Sequence, residues 1–368
     1  MPKAQETVLE IDLNALKHNY SHLKSKLNKN TKFLAVVKAF AYGSDASKIA
    51  NYLQELNVDY FAVAYVNEGV ALRNSGIKKP IIVLHPQAIN FKALINNCLE
   101  PSLYNAKILN EFIKIASAEK QTNYPIHIKF NTGLNRLGFE ANEVENLVSK
   151  IKETASIKVK SIFSHLAASE DLKERKFTLN QIASFKIISK NMIDALGYKP
   201  MLHICNTSGI LNYPDAHFDM VRSGIGLYGF GNSEKENKNL KPIATLKTII
   251  SQIHNIEKGE SIGYNRAFKS NEVLKTATLP IGHADGIGRQ FGNGKGFITI
   301  NGQKAYIIGN VCMDMIMVNI SDIDCKEGDE VIIFGQNTTA ENLAETANTI
   351  SYELITAISQ RVKRVFMK

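Results

Sequence analysis

Short apolar runs alternate with amphipathic stretches along the first two-thirds of the chain. Residues 33–38, 60–65, 81–85, 101–104, 126–130, 159–163, 201–204 and 220–222 read as eight strands. Helical periods fill the gaps. Leu16, Tyr20, Leu23 and Leu27 fall on one helix face, and Val144, Leu147, Val148 and Ile151 on another. The second of these helices is expected to start at Asn142 as N-cap, with Glu145 as the reciprocal acid. Continuous apolar strands between helices imply parallel pairing with both sheet faces covered. Eight such units in about 230 residues predict a (β/α)8 barrel of the TIM type; a doubly wound open sheet satisfies the same periodicity.

The pattern changes after Gly231. Residues 232–241 are polar, precede Pro242 and read as a linker. Beyond them, β signals dominate. Residues 297–300 and 304–308 flank Asn301-Gly302, the signature of a hairpin on a two-residue turn. Residues 330–334 form another predicted strand, and two short helices are expected to close the chain. The expected organisation is therefore α/β: a barrel over residues 1–240, then a β-rich domain over 241–368. The first residues of the chain are able to pair with that second domain.

Composition narrows the classes. With 368 residues, 44% hydrophobic and 21% charged, the chain is ordinary for a globular protein. Its formal net charge of +9 comes from lysines scattered over many helix faces without a long basic run, so it describes a solvated surface and no nucleic-acid partner. The first nine residues lack a signal-peptide core, and no stretch approaches a membrane span. Cys98, Cys205, Cys312 and Cys325 show neither metal-type spacing nor a disulfide framework. No metal is expected, and the expected location is the reducing cytoplasm.

The first predicted strand ends Val36-Val37-Lys38-Ala39 and runs into Phe40-Ala41-Tyr42-Gly43. A lysine at the C-terminal end of a barrel strand lies on the functional face. An apolar approach desolvates its ammonium and lowers its pKa, as an imine-forming amine requires.

Residues 36–43 resemble the cofactor-lysine motif of the alanine racemase family. The likeness continues through Lys129-Phe130-Asn131-Thr132-Gly133-Leu134-Asn135-Arg136-Leu137-Gly138, Phe163-Ser164-His165, the run from His203 to Asn206, and Val221-Arg222-Ser223-Gly224-Ile225-Gly226-Leu227-Tyr228-Gly229. In the second domain it covers Gly263-Tyr264, Ala284-Asp285-Gly286, Val311-Cys312-Met313-Asp314 and Tyr352-Glu353. Matches follow one another in family order over nearly the whole chain.

What the resemblance implies is a racemase dependent on pyridoxal 5'-phosphate. It would interconvert L- and D-alanine and supply D-alanine for cell-wall peptidoglycan. Lys38 would carry the cofactor and act as one base, and Tyr264 from the partner chain of a homodimer as the other. Arg222 would face the pyridine nitrogen, with His165 hydrogen-bonded to it. Arginine holds its proton, so the ring becomes a weaker electron sink and less prone to side reactions. Thr207, Gly224 and Ile225 would surround the phosphate beside Asn206, with Tyr42 and Tyr352 as side-chain donors. Arg136 would contact cofactor and substrate, oriented by Lys129, whose counterpart is carbamylated in many relatives. Met313 would help hold the substrate carboxylate across the dimer.

Several positions depart from the family pattern. Phe40 replaces an asparagine, Ser44-Asp45 replaces His-Gly, Asn131 an aspartate and Thr207 a serine. His283 stands in place of a tyrosine and Asn310 in place of an arginine, both where relatives build the substrate entrance. A broad-specificity racemase of the same fold is therefore the nearest alternative. Barrel decarboxylases pair the pyridine nitrogen with a carboxylate, against which Arg222 speaks. A non-catalytic pyridoxal-phosphate-binding protein would be a barrel alone, without the domain bearing Tyr264 and Met313.

Overall fold

The computed structural model describes residues 4–368. They fall into two compact units. One comprises Lys17–Ala41 and Ala46–Leu240; the other gathers the chain up to Leu16, Tyr42–Asp45 and Lys241–Lys368.

In the first unit all eight apolar runs become strands: β1 (Lys32–Val36), β2 (Tyr60–Val63), β3 (Ile81–Val83), β4 (Glu100–Leu103), β5 (Tyr124–Lys129), β6 (Ile157–Phe163), β7 (Met201–His203) and β8 (Met220–Ser223). From β1 to β7 each pairs in parallel with the next, and β1 pairs with β8 through Lys32↔Met220 and Leu34↔Arg222. Two backbone bonds close the ring, from Asp219 N–H to Leu202 O and from Arg222 N–H to Cys205 O, both 3.1 Å. The architecture is a nearly closed (β/α)8 barrel, and the pairing of β1 with β8 rules out the doubly wound alternative.

Helix Val144–Lys152 buries Val144, Leu147, Val148 and Ile151 as its period predicts. Its start differs from the expectation. A 3-10 turn, Ala141–Glu143, leads into it, and the Glu143 carboxylate accepts from Glu140 N–H at 2.7 Å. Asn142 lies inside that turn, two residues after the capping Glu140 and one before Glu143, and caps neither element. The polar stretch 232–241 is also not a loose linker. Ser233 caps a short helix, Glu234–Asn237. The buried Glu236 carboxylate accepts from Ser208 Oγ, Asn212 Nδ2 and Asn232 N–H at 2.7–2.9 Å. Two donors from outside the stretch and one within it make a buried carboxylate tolerable there.

The second unit is built on a nine-stranded sheet. From edge to edge it runs Gln252–Ile256, Leu274–Leu279, Ile316–Asn319, Gln303–Ile308, Phe297–Ile300, Glu330–Phe334, Ala244–Ile249, Val8–Asp12 and Lys363–Met367. The hairpin turns at Asn301 (φ 48°) and Gly302 (φ 80°), the left-handed pair that the tight turn requires. Two short helices, Ala340–Glu345 and Ser351–Ala357, do form, but the chain ends on a strand parallel to Val8–Asp12. Its edge position and half-exposed residues gave no apolar alternation to read. Among the described residues no helix is long and apolar enough to cross a membrane.

Candidate active site

Lys38 lies two residues past the end of β1 and opens a tight turn. Ala39, Phe40, Ala41 and Tyr42 all have φ between 51° and 55°, a left-handed run without a glycine. Such backbone costs roughly 1–2 kcal/mol per residue and needs support from its surroundings. Glu68 provides part of it. One carboxylate oxygen accepts from Ala39 N–H at 2.6 Å, and the other accepts from Ala64 and Tyr65 N–H at 2.7 and 3.0 Å. Burial and the nearby Arg136 guanidinium hold the Lys38 ammonium below the usual lysine range, partly opposed by Glu68.

Arg222 sits on β8, 4% exposed. Its Nη1 donates to His203 Nδ1 at 2.7 Å. Its Nη2 faces the carbonyls of Ser164 (2.7 Å) and Ile204 (3.1 Å) and His165 Nδ1 (3.2 Å). Its Nε–H has no hydrogen-bond acceptor among the described residues. Burial pushes the guanidinium down to about 10. Burial and the charges of Arg222, Arg136, Lys129 and Lys38 hold the His165 imidazole well below the usual range, so it meets Arg222 neutral, as an acceptor.

Lys129 ends β5, 7% exposed. Its ammonium makes no hydrogen bond or ion pair among the described residues and lies 6.0 Å over the Phe163 ring. Burial, then Arg136, Arg222 and Lys38, push it down to about 8. Arg136 rides on the loop that follows β5, which Asn131 organises: its Oδ1 accepts from Gly133 and Asn135 N–H at 3.1 and 3.0 Å. Its Nδ2 donates to Asn135 Oδ1 and Glu140 Oε1, both at 2.9 Å, two bonds that an aspartate at this position could not give. Gly138 (φ 138°) closes the loop where a Cβ would lie 2.4 Å from Asn131 N.

At the ends of β7 and β8, Asn206 Oδ1 accepts from Gly209 N–H (2.9 Å) and Ser169 Oγ (2.7 Å). Buried Thr207 Oγ1 accepts from Gly226 N–H at 3.3 Å and lies 3.1 Å from Ser223 Oγ. The N–H groups of Gly224 and Ile225 find no acceptor among the described residues.

The remaining candidates belong to the other unit. Tyr264 is 73% exposed and Met313 59% exposed. They line one groove of about 720 Å³ together with Gly263, Cys312, Asp314 and Met315. Asn310 Nδ2 donates to Tyr264 O at 3.1 Å, so this departure from the family pattern steadies the tyrosine backbone. His283 is exposed, its N–H on Cys312 O at 3.0 Å. Tyr42 is buried with its ring 6.1 Å from Tyr352, and burial pushes its phenol pKa upward. Gly43 (φ 83°) follows it, where a Cβ would strike Ile355 O at 2.1 Å.

Sequence reasoning gave no role to Glu68, Ser164 or His203. Ser164 and His203 lie inside the matched motifs but carried no separate signal. Glu68 acts through a contact 29 residues away in sequence, which no local pattern records.

Comparison with known proteins follows the same division. Residues 11–231 match the family described as "Alanine racemase, N-terminal domain", and residues 243–366 match "Alanine racemase, C-terminal domain". An alanine racemase of Clostridium perfringens (strain SM101 / Type A) is 38% identical, over 98% of this chain and 95% of its own length. One of Helicobacter pylori (strain G27) is 35% identical, over 98% of each. Among solved structures, an alanine racemase of Clostridium difficile 630 superimposes with a TM-score of 0.92 at 34% identity, covering 100% of this chain and 97% of that one.

Proposed function

The chain belongs to the alanine racemase family, and from that premise we propose that it interconverts L- and D-alanine with pyridoxal 5'-phosphate held on Lys38, in the cytoplasm, supplying D-alanine for peptidoglycan. The observation that carries this is the cationic cluster at the C-terminal ends of the barrel strands. The Arg136 guanidinium adds to burial in lowering the proton affinity of Lys38, Lys129 and Arg222, and Glu68 opposes it at Lys38. Such a cluster calls for anionic ligands, and a phosphate and a substrate carboxylate are two of them.

The residues present fit the cofactor. Among the described residues the Arg222 Nε–H has no acceptor, nor do the N–H groups of Gly224 and Ile225 beside the Thr207 hydroxyl, donors suited to a phosphate at the β7–β8 end of a barrel. Tyr42 and Tyr352 are the proposed additional donors, and Asn206 frames the Thr207 side. When bound, the cofactor supplies an electron sink for the negative charge left on Cα.

Racemisation needs a proton removed on one face of Cα and delivered on the other. We assign these transfers to Lys38 Nζ and, from the partner subunit of a homodimer, Tyr264 Oη. Lys38 is suited to its part by an ammonium that burial already disfavours. Tyr264 and Met313 stand exposed beside a groove, as side chains intended for a second copy would. Arg222 would be a hydrogen-bond donor toward the ring nitrogen and keep its own proton, because guanidinium gives it up reluctantly even at about 10. Arg136 is assigned to the substrate carboxylate, with Met313.

Lys129 is proposed to be carbamylated. An amine at about 8 is partly neutral near pH 7 and adds to carbon dioxide, releasing one proton and leaving an anion among Arg136, Arg222 and Lys38.

The test is to load purified protein with pyridoxal phosphate, incubate it with each L-amino acid and assay the enantiomer. D-alanine formed well ahead of every other product is expected. Equal conversion of several amino acids would select the broad-specificity reading, and conversion of none would overturn the proposal.

A further inference from the structure

We infer that Glu100, His127, Ser161 and His203 form one hydrogen-bonded relay through the barrel interior that positions Arg222, which makes them positioning residues for the reaction; this rests on the function proposed above. Five consecutive strands contribute one residue each. Glu100 comes from β4, His127 from β5, Ser161 from β6, His203 from β7 and Arg222 from β8. The links are continuous: Arg222 Nη1 to His203 Nδ1 at 2.7 Å, His203 Nε2 to Ser161 Oγ at 2.9 Å, Ser161 Oγ to His127 Nδ1 at 2.6 Å, and His127 Nε2 to Glu100 Oε2 at 2.7 Å. His127 and Ser161 are fully buried, and His203 is 1% exposed.

The donor inventory fixes every proton. A guanidinium only donates, so His203 Nδ1 must accept and its proton must sit on Nε2. That proton goes to Ser161 Oγ. The serine then has a single proton to give, and His127 Nδ1 is its other partner. His127 therefore carries its own proton on Nε2 and donates it to Glu100. An imidazolium at His127 would leave the Ser161 hydroxyl proton without an acceptor in a fully buried place. All four links thus point the same way, from the guanidinium to the carboxylate.

Barrel interiors are ordinarily filled by branched apolar side chains. A buried polar chain there is tolerated only when every member is satisfied, and cooperative polarisation then strengthens each link. Among the described residues Arg222 has no carboxylate in contact, yet it is a buried cation. The relay makes His203 Nδ1 a more basic acceptor for it and places the balancing charge of Glu100 at the far end. It also fixes the guanidinium plane, leaving Nε–H aimed away from its protein partners.

Two readouts test this. In the unliganded chain labelled with 15N-histidine, long-range proton–nitrogen spectra should show a protonated Nε2 and a bare Nδ1 on both His127 and His203. A protonated Nδ1 on either ring overturns the relay whatever the activity. In the loaded enzyme, Ser161→Ala should lower kcat about tenfold, the upper end of the scale of one neutral hydrogen bond, with KM within about twofold. Ser161→Thr should restore kcat. Glu100→Gln, which keeps an acceptor but removes the charge, should lower kcat by a smaller factor. Unchanged kcat in both Ser161→Ala and Glu100→Gln would overturn the positioning role. The predicted spectra in a chain that racemises nothing would overturn the functional reading, and with it the role toward a cofactor.

Discussion

Replacing Lys129 with methionine removes a charge the fold strains to hold. In the unfolded chain the amine has its ordinary value of 10.5, whereas the folded barrel holds it at about 8. Each tenfold loss in proton affinity is worth about 1.4 kcal/mol, so the protonated group weakens the fold by roughly 3 kcal/mol wherever both states carry the charge. That is below pH 8. Between pH 8 and 10.5 the unfolded chain binds the extra proton, so stability rises with pH through this window and the penalty disappears above it. Methionine keeps the stem and lacks the charge. In carbon-dioxide-free buffer at pH 7, Lys129→Met should therefore be the more stable protein by roughly 3 kcal/mol, converging on the parent by pH 10.5. Added bicarbonate should stabilise the parent and leave the variant unmoved, because only the lysine can form a carbamate beside Arg136. Urea unfolding followed by circular dichroism at pH 7, 8, 9 and 10.5 measures this. Equal stabilities at pH 7, or a difference that persists at pH 10.5, would refute the reasoning.

Arg222→Gln loses the bonds to His203, Ser164, Ile204 and His165; it should cost about 3 kcal/mol in unfolding stability and raise loss of the cofactor to its amino form per turnover, seen as bleaching during the assay. Gly138→Ala should destabilise by more than about 2 kcal/mol, because φ of 138° and a Cβ 2.4 Å from Asn131 N leave no room. Its KM for alanine should rise as Arg136 is displaced, and an unchanged KM would separate that loop from the substrate. Tyr264→Phe should slow racemisation by about 10²–10⁴-fold, the range of a lost general acid–base group, while solvent exchange of the Cα proton continues for one enantiomer only. Exchange retained equally for both enantiomers, measured by deuterium incorporation, would remove Tyr264 from proton transfer.

The barrel was legible because parallel strands buried on both faces must be continuously apolar, and all eight runs became strands. The turn after β1 was not. Nothing in Lys38-Ala39-Phe40-Ala41-Tyr42 favours left-handed backbone, which is imposed from outside, in part by Glu68. The short helix at Glu234–Asn237 escaped for a related reason: Glu236 reads as solvated charge until Ser208 and Asn212 are folded beneath it. The final strand is an edge, where alternation is weakest. Motif resemblance pointed to Lys38, Lys129, Arg136, His165 and Arg222, and burial together with the Arg136 charge lowers the proton affinity of the other four. It gave no hint of the relay behind Arg222, because Glu100, His127 and Ser161 sit singly in apolar strands and acquire meaning only from the register His127↔Ser161.

The central claim is that each active site takes Lys38 from one copy and Tyr264 from another, and subunit exchange tests it most directly. Lys38→Ala and Tyr264→Ala homodimers should each be inactive. Mixed dimers of the two carry both lesions in one site and neither in the other, so each should have about half of wild-type activity under two-fold symmetry. Random exchange makes roughly half the dimers mixed, giving about a quarter of wild-type D-alanine formation from two inactive proteins. Mixed dimers verified by mass that form no D-alanine would contradict the shared site.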